Sequence, residues 1–306
     1  MARAEVISDI EMVLTEAASN RSSYISMLDA ISKFHKYNLK QQASLAMYAW
    51  PTYTAVADER VWVQGFHTHI KQDAHAIEIL DDNAPSGVKV VYDASNTELP
   101  KERQEKLLWC FDAAQHKGVF RSIADEGVTA VDGILQVCWQ VEDALAGKDM
   151  KSEEMRLLSA SIGYVLLKRL GFEREAVLLA EQTISDTAFK EGNLSLEDVS
   201  NISREILNGI QEYVQKGKGR DEAFPLRAAM ERVKEMISQH DKAEKVQQET
   251  VISVEATETE EKDVKQEAAV PKEADASAED PAVTAKTGTN ISVGAKTKEF
   301  ELFLHE

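Results

Sequence analysis

Apolar residues thin out sharply after about Ile237, and this break limits most strongly what the chain can fold into. Beyond it come repeated Glu, Thr, Ala, Val and Lys, with Pro271 and Pro281. Such a stretch does not bury enough apolar area to offset the entropy of ordering its backbone. The expectation is a folded body over residues 1–240 and a disordered acidic tail over 241–306. Charge is divided in the same way. The whole chain carries −18, and from Asp241 onward sixteen acids stand against eight lysines, so nearly half the excess lies in the tail. The body is mildly acidic. That argues against tight non-specific binding of duplex nucleic acid, which needs a basic face, and leaves room only for a local contact patch.

No apolar run reaches the ~18 residues a membrane helix needs, and the acidic N-terminal segment MARAEVISDIEMVL does not read as a signal peptide. Cys110 and Cys138 lie far apart and outside any CxxC pair, so a disulfide framework is not indicated and a cytoplasmic location is expected.

Within the body, apolar spacing predicts helices over about Ala4–Ala18, from Tyr24 through His35, and over Leu39–Ala49, with Trp50-Pro51 as a stop. His75–Leu80 alternates apolar and polar residues, 83–87 is a turn, and Val88–Tyr92 is β-branched and aromatic, which together predict a hairpin. Past Pro100 the spacing returns to helical over Lys101–Gln115, Val131–Ala146, Ser152–Leu170, Arg174–Phe189, Leu196–Lys216 and Pro225–His240. Gly171 is placed as a helix C-cap, and Ser195 with Asp198 as a capping box. The fold class expected is α+β: N-terminal helices with a small antiparallel sheet over 1–100, then a mostly helical region over 101–240.

Residues 24–99 resemble a known family. The stretch YISMLDAISKFHKYNLKQQASLAMYAWPTYTAVADERVWVQGFHTHIKQDAHAIEIL is similar to the N-terminal domain of the ArdC/LtrC-type antirestriction proteins of plasmids and conjugative elements. The resemblance runs through the Phe34–Tyr37–Asn38 corner, the Gln41–Leu45–Tyr48 helix, Pro51, Thr54 to Val56, Trp62 and Gly65. It continues into Val91-Tyr92-Asp93-Ala94-Ser95-Asn96-Thr97-Glu98. It implies a single-stranded DNA-binding module. Where relatives carry a basic glycine-containing loop, this chain has residues 68–76, in which Lys71 is the firm cation. The second half is fainter: Gly163-Tyr164 to Leu170-Gly171 looks like the end of a helix in the zinc peptidase-like domain of that family. The counterpart of its HExxH helix reads LQVCWQVEDAL, and Leu158 and Ala160 fall near the third ligand position, so a metal-free, non-enzymatic remnant without a cofactor is expected.

Aromatic faces stack on unpaired bases, and amides and lysines hold phosphates. On that logic the resemblance nominates Tyr37, Asn38, Gln41, Trp62, His67, His69 and Lys71 as the DNA contact. The residues themselves favour core packing for Trp62 and Tyr48, and Asn38 reads as well as a helix cap. His67, His69 and His75 with Asp73 read either as a metal cluster or as solvated loop side chains. Phe300, Leu302, Phe303 and Leu304 form an apolar island among acids, suited to docking on a protein partner. Expected partners are single-stranded DNA and a protein taken by the tail, with no membrane. Lys216-Gly217-Lys218-Gly219-Arg220 is the most basic short stretch and reads as a linker between helices or as a nucleic-acid or acidic-partner contact.

Overall fold

The computed structural model describes residues 3–48, 53, 55–104, 107, 110–120, 128–146, 150–184, 195–216 and 225–239. The chain divides into two units, Met1–Glu249 and Thr250–Glu306, and the described residues all belong to the first. The expected tail with Phe300, Leu302, Phe303 and Leu304, the basic stretch 217–220 and the Trp50-Pro51 stop lie outside the described residues.

The architecture is α+β. Helix α1 (Arg3–Ser19) buries Val6, Ile10 and Ala17 along one face. Asn20 then leaves helical geometry, and its carboxamide accepts the Ser23 N–H at 3.1 Å, capping α2 (Arg21–Lys33). That helix buries Tyr24, Met27, Leu28 and Ile31 at helical spacing. A three-stranded antiparallel sheet follows α3 (Leu39–Tyr48), in the order β1 (Val56–Ala57), β3 (Val88–Asp93), β2 (Ile77–Leu80). In the β2–β3 hairpin Ile77 lies opposite Val91 and Leu80 opposite Val88. Ile77, Ile79 and Val91 are buried while Val90 is exposed, which is the period-two pattern of a sheet with one covered face. Gly87 closes the turn at φ +70°, a left-handed conformation that calls for glycine.

Two segments depart from the expected elements. Residues 58–66, for which the spacing predicts no element, contain a single π-helical turn, Val61–Gly65, whose inward residue is Trp62. Among the described residues of Lys101–Gln115, expected as one helix, only α4 (Lys101–Gln104) is helical. At 110–116 the chain makes turns instead. Asp112 Oδ1 accepts the Ala114 N–H at 2.9 Å, and the Asp112 N–H donates to His116 Nδ1 at 2.9 Å. Local bonds of this kind compete with the helical ladder.

Further along, the described residues form α5 (Ala130–Leu145), α6 (Ser152–Arg169), α7 (Glu173–Thr183), α8 (Leu196–Lys216) and a helix over 225–239. Every residue of α6 from Leu157 to Leu167 is buried, which makes it the central helix. A Thr129–Asp132 capping box opens α5, and the Ser195 hydroxyl accepts the Asp198 N–H at the start of α8. Gly171 ends α6 at φ +86°.

Buried polar contacts tie the first hundred residues to these helices. The Tyr24 hydroxyl meets Ser161 Oγ at 2.8 Å, the Ser200 hydroxyl donates to Gln42 Oε1 at 2.8 Å, and the Tyr164 hydroxyl donates to Asp29 at 2.8 Å. Arg21 reaches the Ala180 and Ile184 carbonyls at the end of α7.

Candidate nucleic-acid interface

The seven nominated residues separate into two groups. Tyr37, Asn38, Gln41 and Trp62 are committed to the frame. Trp62 is 1% exposed, and its indole N–H is shared between the carbonyls of Tyr92 at 2.9 Å and Ala57 at 3.1 Å. Its ring joins the π-turn to the sheet and presents no face to a base, so stacking on DNA is withdrawn for this residue. The Tyr37 hydroxyl donates to the Val56 carbonyl at 2.7 Å, and burial, reinforced by the Asp58 carboxylate, pushes the phenol up to about 12. Asn38 Oδ1 accepts the Gln41 N–H at 3.0 Å and Gln41 Oε1 accepts the Asn38 N–H at 3.2 Å, a reciprocal cap at the start of α3. Gln41 Nε2 also donates to the Leu80 carbonyl at 2.8 Å, joining α3 to β2.

His67, His69 and Lys71 form the second group and share one exposed edge. The chain leaves the π-turn through His67, which adopts φ +52°, a left-handed conformation in which histidine is one of the better-tolerated residues. The next residues run antiparallel to 95–98. Ile70 bridges Thr97, the Glu98 N–H donates to the His69 carbonyl at 2.9 Å, and the Lys71 N–H donates to the Asn96 carbonyl at 2.9 Å. Thr68 is buried and Ile70 half-buried, while His67, His69 and Lys71 are exposed: His69 and Lys71 flank Ile70 at the period-two spacing of a bridged strand, and His67 stands at the left-handed corner before it.

Asn96 organises the far end of this strip. Its Oδ1 accepts the His75 N–H at 2.9 Å, and its Nδ2 donates to the Tyr53 hydroxyl at 2.9 Å. Lys71 Nζ donates to the Ser95 carbonyl at 2.7 Å, which fixes the position of the ammonium. Asn96 and Tyr53 were not singled out from sequence, because their roles rest on pairings of 21 and 43 residues that leave no local signal. Asp73 and Glu98 are exposed on the same two segments, so the strip is of mixed charge with a single cation.

Among the described residues no three His, Cys, Asp or Glu groups stand together as metal ligands, and His67, His69, His75 and Asp73 do not converge. Cys138 is buried and its thiol is pushed up to about 12 by burial, so it stays protonated and packs as a core residue. No described helix is long and apolar enough to cross a membrane. The chain matches no protein-family model, no curated protein and no solved structure.

Proposed function

We propose that this chain is a non-enzymatic accessory protein that binds single-stranded DNA through the His67–His69–Lys71 edge. The role the resemblance implies is support of antirestriction, DNA transfer or replication for a plasmid, phage or conjugative element. The observation that carries the reading is the shared exposure: two imidazoles and one ammonium are exposed within five residues of a segment tied to residues 95–98. Flat rings suit unpaired bases and the ammonium suits a phosphate. With one cation, the dependence of affinity on salt is shallow, with a log–log slope of about −0.7 per phosphate neutralised on a single strand.

The test is fluorescence anisotropy of a labelled single-stranded oligonucleotide with the full chain at 20 and 150 mM salt. Expected are weak binding that a duplex does not match, a slope of about −0.7 that vanishes in Lys71→Ala, and loss of binding in His67→Ala/His69→Ala. Absence of binding at 20 mM salt sinks the proposal. A second reading is a protein-interaction scaffold acting through its acidic C-terminal tail. It is favoured by the burial of Trp62 and by the net charge of −18. Deleting residues 299–306 abolishes partner recruitment under that reading and leaves DNA binding unchanged under the first.

A further inference from the structure

Helices α5 and α7 each pack on the central helix α6. At their N-terminal ends Phe120 packs on Gly133 of α5, and Phe111 links Phe120 to Phe172 with ring centroids 6.2 and 6.3 Å apart. Halfway along, Cys138 of α5 and Leu179 of α7 both close on Gly163 of α6: a Cβ there would stand 3.0 Å from Sγ and 2.9 Å from the leucine methyl. Residues 139 and 178, adjacent to these two, therefore lie at nearly the same height, within ~1.5 Å of rise on each helix.

Both positions are exposed and apolar. Trp139 is 58% exposed, the highest among the large hydrophobic residues described, and Val177 and Leu178 are 46% and 44% exposed. A tryptophan left in water at the middle of a helix contributes nothing to the core and is the residue type most enriched at binding hot spots. Acids flank these apolar residues along the same exposed stripes: Asp132 and Asp143 on α5, and Glu181 on α7, against the single cation Arg174. An apolar centre with an acidic border is complementary to a helix that carries leucine-type anchors at i, i+3, i+4 spacing between lysines or arginines.

We propose that the outer face of α5 and α7 binds a basic amphipathic helical segment of another protein, with Trp139 as the anchor. The surface shares no residue with the His67–His69–Lys71 edge and stands or falls independently of the DNA reading.

The probe is a fluorescein-labelled synthetic leucine–lysine peptide with a helical apolar stripe, titrated into the full-length chain at 50 and 200 mM salt. A leucine–glutamate peptide of the same pattern serves as control. Expected are salt-sensitive binding of the basic peptide alone, weakening of about tenfold or more in Trp139→Ser and in Asp143→Lys/Glu181→Lys, and full retention in Lys71→Ala. Melting followed by circular dichroism establishes that Trp139→Ser keeps the fold. Equal binding by wild type and Trp139→Ser overturns the proposal, because attraction to acids elsewhere in the chain then accounts for it. So does absence of binding, or self-association in sedimentation that Trp139→Ser dissolves, which would make a second copy the occupant.

Discussion

Acid should unfold this protein through one buried imidazole. His35, at the C-terminal end of α2, is 4% exposed. Burial, followed by the positive charges of Arg169 and Lys36, pushes its pKa down to about 3, against hydrogen bonding to the Ser32 backbone and the Gln211 side chain. The unfolded chain holds histidine at its ordinary value of about 6.5. Between these two values the unfolded state binds more protons than the folded one. The contribution of His35 is therefore complete above about pH 6.5 and is lost as pH falls toward 3. At pH 5 the linkage amounts to about 2 kcal/mol. With a urea slope of about 3 kcal/mol per M, this moves the unfolding midpoint by about 0.7 M. The comparison that isolates it is His35→Gln, which keeps polarity and does not titrate. Wild type should lose about 2 kcal/mol more than the variant between pH 7.5 and pH 5, since carboxylates act alike in both. Equal losses in the two proteins would refute the assignment of a neutral, buried imidazole.

Three further substitutions test the frame. Trp62→Ala removes a fully buried indole and both of its hydrogen bonds, and should cost about 3–5 kcal/mol in urea unfolding, whereas the exposed His69→Ala should stay within about 0.5 kcal/mol. Asn38→Ala breaks the reciprocal cap of α3 and should cost about 1 kcal/mol, read as a lower melting temperature with unchanged far-ultraviolet circular dichroism. In α8, a Cβ on Gly209 would stand 2.7 Å from the Ala229 side chain and 2.9 Å from the Pro225 carbonyl oxygen, so Gly209→Val should force the 225–239 helix away and cost about 1–3 kcal/mol or more. A Gly209→Val variant as stable as wild type would show that this helix does not sit where it is described.

The legible part of the fold was the part governed by local rules. Leu196–Lys216 falls where its apolar spacing places it, because a helix writes its buried face every three to four residues. The hairpin was equally plain, since alternation and a turn glycine are both local. Lys101–Gln115 was not, because Asp112 and His116 form side-chain bonds that apolar spacing does not record. The candidate site shows the same division. Asn38 carried its cap signal three residues from Gln41, whereas the roles of Trp62, Tyr53 and Asn96 depend on partners 21 to 43 residues away. Trp139 looked like one more apolar residue of a helix, and its exposure depends on which face of α5 the helix α6 covers.

The long-range contacts also decide how the exposed edge can be tested. Tyr24 and Gln42 are buried in the first hundred residues, yet their polar partners Ser161 and Ser200 belong to α6 and α8. Arg21 likewise satisfies carbonyls of α7 rather than of its own neighbourhood. A chain cut after Gln104 loses all of these partners and uncovers the apolar face of α2 that α6 packs against. Stability of about 5–15 kcal/mol for a whole unit leaves little margin for such a loss. Residues 1–104 alone should therefore melt without a cooperative transition, and a negative DNA-binding result on that fragment would report unfolding rather than the chemistry of His67, His69 and Lys71. A fragment that melts cooperatively near the temperature of the full chain would instead make the frame of the exposed edge self-sufficient.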